Sequence, residues 1–264
     1  MQISLAMMGF GWTEDVAERC IELASNLGYD GIDLWKQHLD TADLGRLRDT
    51  CVAHNLQIVQ VSPYFDFTTS EAAMTESLHE ARTFVGYAEM LGAPYVRAYT
   101  GTTPSTEASE AMWTRCVRGL QEACDMAAAS NVTLLLETHQ VIHSGPCLTD
   151  TSPTTIRLLD LVGRPNLRVA IQTPLIGETP EQTARCLGRY VDQVQAHNWV
   201  GATESTWGKL TFLDSGDLDF ADYLRILRNE GFDGWISVEH ANHHPWEETA
   251  AHEIAYLRKL IAMD

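Results

Sequence analysis

Eight short apolar runs alternate with eight amphipathic stretches along the 264 residues, and this regular alternation constrains the fold more than any other feature. The runs predicted as strands are Ile3–Met8, Gly31–Trp35, Leu56–Val61, Tyr95–Tyr99, Val132–Glu137, Leu167–Gln172, Val191–His197 and Trp235–Glu239. Between and after them, apolar residues recurring every three to four positions predict helices over Glu14–Leu27, Thr41–His54, Glu71–Leu91, Glu107–Ser130, Pro153–Val162, Pro180–Leu187, Leu218–Asn229 and Trp246–Ala262. No linker-like or low-complexity stretch interrupts the series. The expected architecture is α/β: one (β/α)₈ TIM barrel spanning residues 1–264 as a single domain. A doubly wound sheet of this length would want a Gly-rich turn after the first strand, and the chain has no G-x-G-x-x-G there.

Composition narrows the function classes. A net charge of -18 disfavours nucleic acid and anionic membranes as partners, since both require a Lys/Arg surface. No apolar segment approaches the ~20 residues needed to span a bilayer. The six cysteines form no C-x-x-C pair, and the opening Met1-Gln-Ile-Ser-Leu-Ala reads directly as a strand rather than as a targeting signal. These features point to a cytoplasmic protein with reduced thiols. A small molecule is the expected partner, and the aromatic loop residues are compatible with a homo-oligomer.

In a barrel of this kind the site lies at the carboxyl ends of the strands. The fifth run, Val132-Thr-Leu-Leu-Leu-Glu-Thr-His139, places Glu137 and His139 on one face, because strand side chains alternate. A carboxylate ending an apolar strand is hard to explain by packing alone. The same reading gives Arg97 and Tyr99 on strand four, Gln172 on strand six, His197 with Asn198 and Trp199 on strand seven, and Glu239 with His240 on strand eight. The loop after strand two adds Lys36 and His38, and that after strand three adds Tyr64 and Asp66.

Glu137, Gln172, His197 and Glu239 together make an oxygen/nitrogen donor set suited to one divalent cation. Mn²⁺ or Mg²⁺ is expected first, with Co²⁺ and Zn²⁺ as alternatives. Glu137 and Glu239, each ending an apolar strand, are the strongest candidates for a functional role. His139, Arg97, Tyr64, Trp199 and His240 are the candidate substrate contacts.

The chain resembles the xylose isomerase-like TIM barrels, the sugar phosphate isomerases and epimerases related to endonuclease IV. The resemblance rests on Gly28-Tyr-Asp-Gly-Ile-Asp-Leu34, Leu135-Leu-Glu-Thr-His139, Leu148-Thr-Asp-Thr151 and Val194-Gln-Ala-His197. It continues through Ser215-Gly-Asp-Leu-Asp-Phe220, Gly231-Phe-Asp-Gly234 and Ile236-Ser-Val-Glu239. It implies a divalent cation held by a strand-five Glu, a strand-six Asp, a strand-seven His and a strand-eight Glu. Glu137, His197 and Glu239 match that pattern. Strand six departs from it, with Gln172 in place of Asp and Leu175 where a histidine often follows.

The chemistry the resemblance implies is proton transfer beside a carbonyl on a sugar or polyol, with Glu137 and Glu239 as the catalytic acid/base residues. It gives isomerisation or epimerisation if the proton returns, and lyase or dehydratase chemistry if a β-substituent leaves. A barrel that has lost catalysis and serves as a binding or partner subunit is the third reading, with Gln172 as its argument. The endonuclease branch would need further His and Asp/Glu ligands and a basic DNA-facing surface, which a charge of -18 does not provide.

Overall fold

The computed structural model describes residues 1–11, 14–139, 147–173, 175, 177–201, 208–239 and 245–263. Eight parallel strands close on themselves: β1 (Gln2–Ala6), β2 (Gly31–Trp35), β3 (Gln57–Ser62), β4 (Tyr95–Ala98), β5 (Thr133–Glu137), β6 (Leu167–Ile171), β7 (Val191–Ala196) and β10 (Trp235–Val238). Neighbours in the barrel are neighbours in sequence except at the seam, where β1 pairs with β10 from Gln2↔Trp235 to Leu5↔Val238. The predicted (β/α)₈ barrel is the fold observed.

The outer layer is α1 (Glu14–Leu27), α2 (Lys36–Leu39), α3 (Leu44–Ala53), α4 (Glu71–Leu91), α5 (Glu110–Ala129), α6 (Ser152–Val162), α7 (Pro180–Leu187), α8 (Phe220–Asn229) and α9 (Trp246–Ala262). Local chemistry sets the helix ends. Ser70 accepts from the Ala73 N–H at the start of α4, and Gly92 ends it in the left-handed region at φ 72°. Ser109 caps α5 in the same way, so that helix begins three residues later than its hydrophobic pattern predicts. The expected Thr41–His54 helix is shortened because Asp43 caps at Leu44, while residues 36–39 form their own turn as α2.

Between the barrel and the helices lies one apolar core, to which Ile32, Leu34, Val61, Leu134, Leu136, Val194, Ile236 and Val238 contribute from the strands' outward faces. The inward faces carry a polar cluster. Ser4, Asp33, Gln193 and Ser237 meet inside the barrel, with Asp33 accepting from Ser4 Oγ at 2.6 Å, Ser237 Oγ at 2.5 Å and Gln193 Nε2 at 3.4 Å.

The chain beyond β7 also departs from the expected pattern. The predicted seventh strand stops at Ala196, and the chain then forms a two-stranded antiparallel ribbon, β8 (Asn198–Val200) with β9 (Lys209–Thr211). No helix among the described residues is long and apolar enough to cross a membrane.

Candidate active site

The ends of β4 to β7 and β10 deliver the polar side chains to one side of the barrel mouth. The backbone at the centre of the site is fixed by Thr138. Its hydroxyl donates to the Gln172 carbonyl and accepts from the Gln172 N–H, both at 2.8 Å, locking the end of β5 to the end of β6. Thr138 points away from Glu137, so the alternation that aims Glu137 inward also supplies this clamp.

Five side chains then join in a row. Arg97 Nη1 lies 3.0 Å from Glu137 Oε2. Gln195 Nε2 donates to the same carboxylate oxygen at 3.2 Å. Gln172 Nε2 donates to Gln195 Oε1 at 3.0 Å and to Glu239 Oε2 at 3.1 Å. All of these groups are buried. Burial works against the charge on Arg97, yet the Glu137 carboxylate beside it holds the guanidinium above its ordinary value.

His197 approaches the same end of the row. Its Nε2 lies 3.1 Å from the Thr173 carbonyl, which can only accept, so Nε2 carries the proton in this bond. That leaves Nδ1 facing Glu239 Oε2 at 3.5 Å. In a neutral ring, Nδ1 is a lone pair facing a carboxylate oxygen. A divalent cation is one partner that both atoms can bind.

A further acceptor stands nearby in the row. Both Gln172 N–H bonds are used, and its Oε1 is buried with no hydrogen-bond partner among the described residues. The donor chemistry of Glu239, His197 and Gln172 Oε1 therefore fits a hard divalent cation.

Glu137 stands apart from this group, two amides along the row and paired with Arg97. In keeping with that separation, no three of His, Cys, Asp and Glu come together as a metal group among the described residues. The structure thus brings Gln172, His197 and Glu239 together and links Glu137 to them through Gln195.

The other expected contacts divide. Arg97 packs its guanidinium over the Tyr64 ring at 4.8 Å, and Tyr64 is 45% exposed, so the pair forms part of the rim. Trp199 is buried and tilted against His197 with ring centroids 5.6 Å apart. His139 meets Tyr99 edge-on at 5.6 Å, and its backbone accepts from Cys147 Sγ. His240 lies outside the described residues.

Three loop residues offered by the strand-end reading have local roles instead. His38 accepts from the Trp35 N–H and contacts the Gly11 carbonyl. Lys36 pairs with Asp40 and Glu80. Asp66 caps its own turn by accepting from the Thr68 and Thr69 N–H groups.

Sequence reasoning missed Gln195 and Asp33. The signal for Gln195 was present in Gln193-x-Gln195-x-His197, three polar residues at period two in a strand buried on both faces. Asp33, in Gly31-Ile-Asp-Leu-Trp35, carried the mark of a lone charge inside an apolar strand.

Residues 21–260, which include every side chain of this row, match the family described as xylose isomerase-like TIM barrel. A 3-dehydroshikimate dehydratase from Bacillus anthracis is 27% identical over 155 residues, 56% of this chain and 53% of that protein. The chain thus spans about half the length of this curated relative. Among solved structures, the probable 3-DHS dehydratase AsbF from Bacillus anthracis, involved in petrobactin synthesis, matches with a TM-score of 0.82 at 21% identity, covering 98% of this chain and 99% of that chain. The D-allulose 3-epimerase from Methylomonas sp. matches at 0.79 and 18%, covering 98% of each chain. Identities this low establish the shared fold, and one fold hosts many chemistries. The match over residues 21–260 establishes the lineage: the chain belongs to the xylose isomerase-like TIM barrel family.

Proposed function

We propose that the chain is an enzyme that removes a carbon-bound proton next to the carbonyl of a small hydroxylated substrate. The observation that carries this is the row Arg97–Glu137–Gln195–Gln172–Glu239, which holds two buried carboxylates apart at one barrel mouth. Buried carboxylates are costly to keep without a task, and here two of them are held by named donors.

Glu137 and Glu239 are the acid/base pair. Arg97 pairs with Glu137 at 3.0 Å, and Gln172 donates to Glu239 from the strand between. The substrate class is a sugar or polyol-derived keto compound, with Tyr64 and Trp199 as apolar walls and Arg97 and His139 as polar contacts. A divalent cation, Mn²⁺ or Mg²⁺, would be held by Glu239, His197 and Gln172 Oε1, with Glu137 linked to that group through Gln195. When bound, it supplies positive charge against the negative charge that develops on the carbonyl oxygen as the proton leaves.

Return of the proton gives an isomerase or epimerase. Loss of a β-hydroxyl instead gives a dehydratase. A specific observation favours keeping this second outcome: one curated relative is named a dehydratase and one matching solved structure a probable dehydratase. In that outcome His139, on the same face as Glu137, protonates the departing hydroxyl. The six free thiols, five of them buried, support a reducing, cytoplasmic setting.

The test is incubation with ketoses such as D-allulose and with 3-dehydroshikimate in D₂O plus Mn²⁺, followed by NMR. Deuterium entering a C–H bond adjacent to the carbonyl, or formation of an aromatic product, is expected from the wild type and not from Glu239→Gln. Exchange retained in Glu239→Gln removes that residue as acid/base. A protein that takes up no Mn²⁺ removes the metal-dependent mechanism.

A further inference from the structure

We infer that Gln195 is a positioning residue: it fixes the side-chain amide of Gln172 so that an oxygen, rather than an N–H, is offered to the cation. This deepens the metal-dependent reading above and rests on it.

Amide oxygen and nitrogen are nearly isosteric, so a glutamine beside a cation can present either end, and only its hydrogen-bond partners decide which. Here each partner is decided by the one before it. Arg97 can only donate, and the Glu137 carboxylate it faces at 3.0 Å can only accept. Gln195 must therefore turn Nε2 toward Glu137, where the distance is 3.2 Å. Its Oε1 then points to Gln172 and requires a donor, and Gln172 supplies Nε2 at 3.0 Å. The second Nε2 proton of Gln172 goes to Glu239 at 3.1 Å, another acceptor-only group. Reversing Gln195 would set acceptor against acceptor at Glu137 and donor against donor at Gln172, and reversing Gln172 would turn its oxygen on two acceptors, Gln195 Oε1 and Glu239 Oε2.

The consequence falls on Gln172. Its backbone is clamped by Thr138 on both sides, so the remaining freedom is the rotation of the amide. With Nε2 committed twice, Oε1 is left buried without a hydrogen-bond partner among the described residues. A neutral amide in this position is useful to a cation only in that orientation. A carboxylate would need no such control, because both of its ends are oxygens. Gln195 thus compensates for the strand-six departure from the family pattern. Its location fits the task, since β6 and β7 pair at Ile171↔Val194, one residue before Gln172 and Gln195.

The test is Mn²⁺ binding by EPR or calorimetry on the full chain. The variants are wild type, Gln195→Leu, Gln172→Asp and the double substitution, each checked for native circular dichroism. Gln195→Leu is expected to weaken Mn²⁺ binding by about ten- to hundredfold, as loss of a ligand-orienting partner does. In the Gln172→Asp background the same change is expected to matter by no more than about twofold, because orientation no longer decides which atom is offered. Equal losses in both backgrounds would show that Gln195 acts through packing or by its own contact, and would overturn the inference. So would unchanged affinity in Gln195→Leu. If that variant does not fold, Gln195→Met takes its place, since it also lacks both polar ends and is more adaptable in shape. Absence of any Mn²⁺ binding by the wild type would instead overturn the metal-dependent reading itself, a result read before any variant is compared.

Discussion

Asp33 is fully buried inside the barrel with two hydroxyl donors and one amide donor, and among the described residues no cationic side chain pairs with it. Burial pushes its carboxyl up to about 6, the Ser237 and Ser4 hydroxyls pull the other way, and the charge on Glu239 adds to the rise. The folded state therefore holds this proton to higher pH than the unfolded chain does. The stability it contributes is fully present below the ordinary value of 3.8 and is lost as pH rises through about 6, a change of roughly 3 kcal/mol. Asp33→Asn, which is neutral at every pH, should flatten the dependence of Tm on pH between about 4 and 6 and leave the protein more stable than wild type at pH 7. Thermal melts across this range check it, and an unchanged slope would refute the role given to Asp33. Glu253 acts in the same direction over a wider range, since burial raises its carboxyl to about 8, so a residual decline above pH 6 is expected in the variant. At this scale the sequence was only partly legible. Glu137, Gln172, His197 and Glu239 stand out because each ends an apolar run. Asp33, Gln193 and Gln195 sit mid-strand, where alternation alone does not say which face looks into the barrel.

Among the elements, helices with strong periodicity and clear stops were readable to the residue: α1, α4, α7 and α9 lie where the pattern places them. The β8–β9 ribbon was not readable, because strands of three residues carry no period and their partners are set at a distance. Its root is Asn198. The Asn198 amide nitrogen donates to the Leu213 and Leu218 carbonyls, both at 2.8 Å, and its oxygen accepts from the Trp199 and Leu218 N–H groups at 2.9 and 3.1 Å. Glu253 on α9 holds the other side by accepting from the Leu213 N–H. Gly216 packs so closely that a Cβ there would come 2.0 Å from Asn198 Oδ1. Asn198→Ala would strand buried backbone groups and should lower stability by about 3 kcal/mol. It should also release Trp199 from its place against His197, so amide exchange at Trp199 and Leu218 should quicken more than in the barrel strands. Uniform exchange changes across the chain would instead mark a general loss of stability.

For the whole molecule, the count of alternating elements pointed to a closed barrel once the missing Gly-rich turn had set aside a doubly wound sheet, since eight parallel strands closed on themselves leave no edge to hide. What the count could not show is how the ring is fastened. The Met1 ammonium pairs with Asp233 at 2.8 Å, and the Gln2 N–H donates to the Gly234 carbonyl at 3.2 Å. At Gly234 a Cβ would come 2.0 Å from the Asp192 carbonyl oxygen, so only glycine lets β10 enter beside β7. Hydrogen exchange read by mass spectrometry should show β1 and β10 opening in a single event. Independent opening of β1 would argue against a cooperative seam.

The same seam bears on how the protein is made. A ribosome delivers β1 first and β10 more than two hundred residues later, at about 5–20 residues per second. For that interval the nascent chain presents two unpaired sheet borders, which can recruit one another's counterparts on neighbouring polysomes. Yield in a host cell should therefore depend less on equilibrium stability than on the translation speed of residues 197–238 and on chaperone supply while they emerge.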